Sequence, residues 1–526
     1  MAILWETGGV RSRRTERSSM RLGHGLRFPL LLVLGSWAAT YHVGPGQALA
    51  NIADAPLSTL APGDSVLIHA RAEPYREKFV LSVEGTAERP VVVRGVPDPS
   101  DGSLPRIVGT NAVNAKGQNF WSEGRGLIKI GGANTPSTPA AHIRVENLDL
   151  SGAKQGGTFT DRNGSQAQWP DNAAAVFVES GTDIHIRGCR VHGNGNGLFS
   201  ASASKDVVIE SNTIWDNGNA GSIYEHNSYT ESDGIVFQWN DYGALCEGCD
   251  GNNLKDRSAG TVIRYNRIDG GNRQLDLVDS DHDEILARPT YRRTYVLGNL
   301  LIEREGSGNR QMVHYGGDNG DNSTYRNGIL RFHHNTLWSD RTDRNTWVRL
   351  SSPRDTIDAR NNVVFTKAPG SSLELMAGEG VMLLSGNWLP VGWNTSFEPK
   401  GKLVDANTNR TGTDPGWVDL ATEDFRPAAG SPLSTGSVAI PQEDGAPSID
   451  FWLDRSRPLS WVPRASREVV GAFGTGSVAV LPRRGGQRVS DAPRILPPQG
   501  RVVLPSSRGW VEPSGRAVPG PVGASH

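Results

Sequence analysis

The chain has 526 residues and a formal net charge of −2, with 63 glycines, 32 prolines and three cysteines. A charge this close to zero excludes a protein that binds nucleic acid through a globally basic surface. Three cysteines are too few for a small scaffold held together by disulfides. Short apolar runs separated by turn residues, with little sustained helical periodicity, predict an all-β chain.

The N-terminal region has the pattern of an export signal. Residues 11–27 are basic, residues 28–39 are mostly apolar, and Ala48-Leu49-Ala50 is a small-x-small cleavage site. The apolar run is shorter than the roughly 20 residues that span a bilayer, so no membrane span is expected. The sequence therefore predicts a signal peptide at residues 1–50 and a secreted or periplasmic protein. Met20 is an alternative start.

The opening of the predicted mature chain has a distinctive order of turns and strands. A Pro-Gly-Asp turn at residues 62–64 precedes a strand at 65–69, a segment at 75–81 and a second strand at 90–95. This order resembles the opening coils of right-handed parallel β-helix proteins of the pectate-lyase-like superfamily. The resemblance implies a solenoid, in which the chain grows by adding coils.

A repeated phrase supports a solenoid. An asparagine followed by apolar residues recurs after short β-rich runs, and the closest repeats are roughly 23 to 27 residues apart. We interpret each asparagine as a structural bend residue and expect the bends to stack into a ladder. The sequence thus predicts an all-β, single-stranded right-handed parallel β-helix with long loops on one face. The main repeats centre on Asn147, Asn212, Asn266, Asn299, Asn335, Asn362 and Asn387.

Two longer intervals, at residues 212–266 and 266–299, predict inserted loops that build a binding face. Cys246 and Cys249 lie in the first interval, and in an exported protein this spacing predicts a disulfide that closes a small loop. Cys189 is expected to be a buried thiol.

The C-terminal part of the chain changes character. Residues 414–433 and 469–474 resemble the closing segment of bacterial β-helix proteins, and a terminal cap would protect the last coil. We therefore expect the β-helix with its capping segment at residues 51–474. Residues 475–526 are rich in Pro, Gly and Arg and are predicted to be disordered.

The chemistry is expected around Lys255 and Arg257. Side chains alternate along a strand, so these two cations point to the same face, opposite Leu254. Carboxylates surround them in the sequence. Two cations on one side of a rigid sheet would bind an acidic sugar; the alternative interpretation is a solvated face of paired surface charges.

Residues 247–280 resemble the core of the family that contains alginate lyase and chondroitinase B. In that family, acidic calcium ligands precede a catalytic Lys, and an Arg follows one coil later. Lys255 matches the Lys, in the context Leu-Lys-x-Arg-Ser. Glu247 and Asp250 stand in for the calcium ligands at a different spacing. The later Arg is missing, so Arg257 or Arg273 would take its role.

The resemblance implies a polysaccharide lyase that cleaves an acidic, uronic-acid-containing polysaccharide by β-elimination, with Ca²⁺ as a cofactor. Lys255 would be the base, Arg257 the neutraliser of the uronate carboxylate, and Tyr229 or His226 the acid. A monomer is expected. The residues expected to contact substrate are Asn227, Arg264, Arg273, Asp276, Asp279, His282, His314 and Tyr315.

Three alternatives remain open from the sequence. Asp281-His282-Asp283 resembles a motif of alginate C5-epimerases, which share the proton-abstraction step. Asp276 and Asp279 would be the paired acids of a glycoside hydrolase. β-Helices also serve as non-catalytic glycan-binding proteins and adhesins, and fold alone does not fix function. The segment 309–316 is shared with bacterial right-handed parallel β-helix repeat proteins.

Overall fold

The computed structural model describes residues 38–454 and 460–475, together with the short strands Pro505–Ser506 and Gly509–Trp510. Residues 1–37 of the predicted signal peptide lie outside the described residues, and so does nearly all of the predicted disordered tail. Both assignments stay predictions.

The described chain is a right-handed parallel β-helix, as the sequence predicts. Neighbouring coils pair in parallel along three ladders, two of which merge into one sheet of 23 strands while the third is a sheet of 11 strands. A crossover from one parallel strand to the next is right-handed in nearly all proteins.

The candidate site lies on the first ladder. Its strands are Glu77–Leu81, Gly126–Ile130, Ala174–Arg187, Asn196–Glu210, Ser228–Gln238, Leu254–Asp256, Leu275–Leu277, Gln311–Tyr315, Asn345–Leu350 and Leu373–Gly378.

The second ladder shares the three long strands between residues 174 and 238 with the first. Its other strands are Thr40–Val43, Ser65–His69, Val91–Val96, Ala141–Glu146, Ala259–Arg264, Arg293–Leu297, Ile329–His333, Thr356–Arg360, Val381–Ser385 and Lys402–Asp405.

The third ladder consists of short strands that follow the bends. They are Arg106–Val108, Asp149–Ser151, Arg190–His192, Thr213–Trp215, Asp241–Tyr242, Arg267–Asp269, Leu300–Glu303, Thr336–Ser339, Val363–Thr366, Trp388–Pro390 and Arg410–Gly412.

Helices are rare among the described residues. The α-helix Asp283–Leu286 lies in a loop, and the short 3₁₀ helices are Ile52–Asp54, Glu123–Arg125, Gly370–Ser372 and Pro432–Ser434. The remaining strands are Ala112–Asn114, Thr158–Thr160, Gln166–Gln168 and the hairpin pairs Asn119–Phe120 with Ala133–Thr135, Trp417–Asp419 with Asp424–Pro427, and Phe451–Asp454 with Ser460–Pro463.

Inward-facing side chains of all three ladders form one continuous apolar core. Leu254, Leu275, Val313 and Val348 occupy successive rungs of the first ladder and are all fully buried. Burial of such side chains supplies the main driving force for folding. Because side chains alternate, the residues next to them in each strand face outward.

The predicted asparagine ladder is present. From Asn212 to Asn387, each Oδ1 accepts a hydrogen bond from the backbone N–H of the preceding rung, as from Asn266 to Asn299 and from Asn335 to Asn362, both at 2.9 Å.

The prediction of Asn147 as a rung is wrong: its backbone is left-handed (φ 55°), and Cys189, whose N–H donates to Asn212 Oδ1, occupies the rung before Asn212. Asn240, which we did not predict, is a further rung between Asn212 and Asn266. The interval 212–266 is therefore two coils of 28 and 26 residues, and the prediction of one long insertion there is wrong.

The C-terminal segment lies along the flank of the solenoid. Phe451 packs against Tyr265, with ring centroids 5.8 Å apart, and Trp417 packs against Phe365 at 5.5 Å. The backbone N–H of Gly471 donates to the carbonyl of Asn361 (2.8 Å). The segment expected to close the solenoid thus contacts the side of several coils.

The first described strand, Thr40–Val43, pairs in parallel with Ser65–His69. It therefore belongs to the solenoid although it precedes residue 51, where we expect the mature chain to begin.

Candidate active site

One outward-facing column of side chains runs across seven strands of the first ladder: β1 (Ala174–Arg187), β2 (Asn196–Glu210), β3 (Ser228–Gln238), β4 (Leu254–Asp256), β5 (Leu275–Leu277), β6 (Gln311–Tyr315) and β7 (Asn345–Leu350). Strand register places these side chains directly beside one another. The column is aromatic at one end and charged at the other. In order from β1 to β7 it consists of Phe177, Phe199, Tyr229, Lys255, Asp276, His314 and Arg349.

A cavity of about 610 Å³ lies over the middle of this column, and we call it the central groove. Tyr229, Lys255 and Asp276 line its floor, and Arg257 and Asp318 lie beside them. Residues 219–226 form one wall, where Tyr224 is exposed. The floor of the groove is therefore formed by strands, and its rim is formed by loops.

The predicted disulfide between Cys246 and Cys249 is present and supports this wall. The backbone of its loop bonds to the wall loop, from Gly221 N–H to the Gly248 carbonyl (2.7 Å) and from Asp250 N–H to the Ser222 carbonyl (3.0 Å). A Cβ on Gly251 would lie 1.8 Å from the Glu225 carbonyl, so only glycine permits this close approach. Cys189 is a free, buried thiol, as predicted.

Lys255 is held between two carboxylates. Its Nζ lies 2.8 Å from Asp276 and 2.5 Å from Asp318, and the side chain is 9% exposed. Burial opposes the charged form, but the two carboxylates outweigh it and raise the pKa of Lys255. The ammonium form therefore predominates, and this form has no lone pair with which to accept a proton.

Arg257 shares one of these carboxylates with Lys255. Its Nη2 donates to Asp318 Oδ1 (3.0 Å), while Lys255 Nζ contacts Oδ2 of the same side chain. Its Nε donates to the Tyr229 hydroxyl oxygen (3.1 Å). Against the effect of burial, Tyr229 and then Asp318 raise the pKa of Arg257. Two cations thus bind one carboxylate between them in the groove.

Asp276 links the groove to a buried hydrogen-bond chain. It accepts from Asn252 Nδ2 and from His314 Nδ1, both at 2.8 Å, and His314 Nε2 lies 2.7 Å from Ser351 Oγ. Burial disfavours its charged form, but His314 and Lys255 hold the pKa of Asp276 well below its usual range. Burial lowers the pKa of His314. Neither His314 nor Ser351 lines the central groove. This buried hydrogen-bond chain therefore positions Asp276 beneath Lys255.

His226 lines the groove as a neutral imidazole. It is almost fully buried, and Nδ1 accepts a hydrogen bond from the backbone N–H of Asn252 (2.9 Å). Burial, with the nearby charge of Lys255, lowers the pKa of His226 to about 3. The neutral ring therefore carries its proton on Nε2 and is a hydrogen-bond donor to the groove.

The structure brings together only some of the residues that the sequence predicts to be catalytic or to contact substrate. His226, Tyr229, Lys255, Arg257, Arg273 and Asp276 line the central groove, and Arg273 bonds to Gln311 at 3.1 Å. Asp279 is fully buried below, where its Oδ1 accepts from the backbone N–H of Asp318 (2.7 Å) and burial raises its pKa.

Besides His314 and Asp279, four more residues predicted to contact substrate do not line the groove. Asn227 is buried in a second asparagine ladder with Asn217 and Asn253. Arg264 is buried on the second ladder and donates to Gln238, and Tyr315 lies in the core. His282 pairs with Glu231 at 2.9 Å and does not line the groove.

The predicted calcium ligands do not fit a site in the groove. Glu247 and Asp250 are both exposed and neither lines the groove. Within residues 38–454 and 460–475, no group of three or more His, Cys, Asp and Glu side chains is arranged to hold a metal ion. We therefore assign no catalytic step to calcium.

Sequence reasoning missed several groove residues. Asp318 follows the recognised segment 309–316 by two positions, so that segment was the available signal. Arg125 and Phe199 come from earlier coils, and Asn252 lies two positions before Leu254, where the Leu-Lys-x-Arg phrase begins.

Comparison with known proteins gives a partial family match. The model of the periplasmic copper-binding protein (NosD) family matches residues 111–269, less than half of the chain. No curated protein matches the chain. No helix among the described residues is long and apolar enough to cross a membrane.

Solved structures resemble the chain at low identity. A pectate lyase, Pel9A, is 11% identical with a TM-score of 0.45, and the match covers 84% of this chain and 97% of that one. An alginate lyase from Paenibacillus sp. is 12% identical, with a TM-score of 0.38 and coverage of 67% and 94%. ORF18 of Geobacillus virus E2 is 11% identical, with a TM-score of 0.39; the match covers 62% of this chain and about half, 55%, of the viral protein.

Proposed function

We propose that the central groove binds an acidic polysaccharide and cleaves it by β-elimination. The observation that carries this proposal is the clamp of Lys255 and Arg257 around the Asp318 carboxylate. A uronate carboxylate has the same charge and geometry as the Asp318 side chain. Because Asp318 is 32% exposed and lies on a loop, a substrate carboxylate can replace it.

The geometry supports a division of roles that differs from the sequence expectation. The pKa of Lys255 is raised, so we assign it the acid role: its ammonium donates a proton to the departing glycosidic oxygen. We assign Tyr229 the base role, because it lines the groove beside Lys255 and its oxygen is held by a hydrogen bond from Arg257 Nε (3.1 Å). The proton beside the carboxylate passes to Tyr229, the carbon–oxygen bond breaks, and a carbon–carbon double bond forms.

The carboxylates in and beneath the groove support hydrolysis less well than β-elimination. A glycoside hydrolase needs one carboxyl group that is protonated at working pH. Lys255 lowers the pKa of Asp318 against the effect of burial, and the pKa of Asp276 is also lowered. Asp279 has a raised pKa, but it is buried beneath the groove. Epimerisation at His282 is disfavoured because this side chain lies outside the groove.

The test measures the ultraviolet absorbance of the unsaturated uronate product. A chain that begins at residue 38 is incubated with a panel of uronic-acid polysaccharides, with and without calcium. Lys255→Met and Tyr229→Phe should each lower the rate at least about a hundredfold, the usual contribution of a general acid or base. Lys205→Ala is the matched control, because Lys205 is an exposed cation of the second ladder.

New reducing ends without ultraviolet absorbance would replace β-elimination with hydrolysis. Binding without either signal would identify a glycan-binding protein instead of an enzyme. Thermal unfolding of each variant establishes that any loss of rate is not a loss of folding.

A further inference from the structure

A second cavity, of about 340 Å³, lies on the first ladder next to the central groove. Four cationic side chains and two carboxylates line it. We call it the basic groove and define it by Arg310, Arg344, Arg349 and Lys400.

The carboxylates of this cavity leave the cations largely unneutralised. Glu374 is buried, and its oxygens accept hydrogen bonds from Thr346 Oγ1 (2.8 Å), Ser396 Oγ (2.9 Å) and Phe397 N–H (2.8 Å). In the part of the chain that the structure describes, no carboxylate forms a salt bridge with Arg344, Arg349 or Lys400, and all three side chains are exposed.

The remaining charges in the cavity are weakly paired. Arg310 forms an exposed ion pair with Asp343, at 3.3 Å, and Glu398 is exposed. An exposed pair contributes little, since solvent screens it. The basic groove therefore has an excess of positive charge that a bound anion would neutralise.

The basic groove continues the central groove. Arg273, in the central groove, donates to Gln311, which lines the basic groove. Arg349 belongs to the same outward-facing column as Lys255, three ladder steps away. Neighbouring strands are about 4.8 Å apart, so the two cations stand about 14 Å apart along the solenoid.

We propose that the basic groove is a second binding site for acidic sugars, so that the polysaccharide lies along the solenoid axis with several uronates on the β7 side of the reacting bond. This inference rests on the proposed function, because it assumes that the same polymer occupies both grooves. The opposite end of the column offers aromatic side chains, Phe199 and Tyr229, which suit the apolar face of a sugar. The site would therefore select polymers with consecutive acidic residues on one side.

The experiment measures binding rather than turnover. Uronate oligomers of increasing length, and uncharged oligomers of the same lengths, are titrated into the full chain carrying Lys255→Met. Binding should strengthen with the length of the uronate oligomer. Adding Arg344→Ala and Arg349→Ala should weaken binding of the longest oligomer about 3- to 30-fold, from two exposed ion pairs. Binding of the shortest oligomer should be unchanged.

Arg293→Ala with Lys402→Ala is the matched control, because both are exposed cations of the second ladder. An equal loss in the control pair, or no loss in the arginine pair, would overturn the proposal. If length-dependent binding is found but the wild-type chain forms no unsaturated product, the function of the central groove fails and the binding site stands. If product forms while binding is independent of length, the second site alone fails.

Discussion

Asp318 is the residue on which the chemistry of the central groove depends. It occupies the place between Lys255 and Arg257 that a uronate carboxylate would take, and it helps to keep Lys255 protonated. The same side chain therefore competes with the substrate and tunes the proposed acid.

Replacing Asp318 with Asn should change both binding and pH dependence. The KM for a uronate polymer should fall, because the competing charge is gone. An acid works only while protonated, so activity falls as pH rises through the pKa of Lys255. Without Asp318 that pKa is lower, and the alkaline limb of the pH–rate profile should move to lower pH.

Asp281→Asn serves as the control for this prediction. Asp281 lies 3.6 Å from Arg257 and forms no salt bridge with Lys255 among the described contacts. An alkaline limb that stays in place in Asp318→Asn would contradict the assignment of Lys255 as the acid.

Part of the site follows from sequence alone. Alternation along a strand was enough to predict that Lys255 and Arg257 share a face, and both line the groove. The contact of Tyr229 with this pair depends on the register between β3 and β4, which are separated by a coil and a loop. Asp318 comes from a coil further on. Sequence spacing across loops does not determine such contacts, because the loop lengths vary independently of the register.

The asparagine ladder is the element that stabilises the bends. Asn266 Oδ1 accepts from Asn240 N–H, and its Nδ2 donates to the Phe237 carbonyl and to Asn299 Oδ1. All these groups are buried, so an unmade bond leaves an unsatisfied polar group.

Asn266→Ala should lower the free energy of unfolding by about 2–4 kcal/mol, since it removes several buried hydrogen bonds and leaves partners unpaired. Denaturant unfolding measures this loss. Asn163→Ala, at an exposed turn, should change stability by less than about 0.5 kcal/mol. Equal effects would show that the ladder adds nothing to stability.

The strand Thr40–Val43 covers the edge of Ser65–His69. A chain that begins at residue 51 would expose that edge, including unpaired backbone groups beside the buried Val66 and Ile68. We expect the chain that begins at residue 38 to melt at a higher temperature and to aggregate less than the chain that begins at residue 51. Equal melting temperatures would show that the first strand contributes nothing to stability.

At the scale of the whole molecule, buried histidines predict sensitivity to acid. Burial lowers the pKa of His226 to about 3, lowers that of His314, and with Arg464 holds that of His334 well below its usual range. In the unfolded chain these residues titrate near 6.5. The unfolded state therefore binds more protons below about pH 6.5, and stability is lost as pH falls from there.

The melting temperature should fall between pH 7 and pH 5, with up to about 1.4 kcal/mol lost per histidine and pH unit. His226→Gln and His334→Gln should each flatten this dependence. His282→Gln should not, because its pKa is raised by Glu231 against burial, which gives the opposite sign. A melting temperature that is constant over this range would contradict the prediction.

The fold as a whole was more predictable than the site. The repeated asparagine and the short β-rich runs predicted the parallel β-helix, because every coil bends at the same place and uses the same residue type there. Asn240 lies 28 residues after Asn212 and 26 before Asn266, so its spacing is regular. It was missed because Asp241 and Gly243 interrupt the apolar run that follows the other asparagines. The placement of the C-terminal segment on the flank depends on aromatic contacts between distant parts of the chain, and no local pattern encodes them.

That flank placement has a consequence for the timing of assembly. Phe451 packs against Tyr265, and Gly471 bonds to Asn361, so residues synthesised late complete the surface of coils made much earlier. A solenoid can otherwise form coil by coil from its first turn. In this chain the flank of the middle coils remains uncovered until the C-terminal segment has been synthesised. Only then can that segment form contacts that connect distant coils. Folding can begin during synthesis, but the contacts between the C-terminal segment and the flank form last.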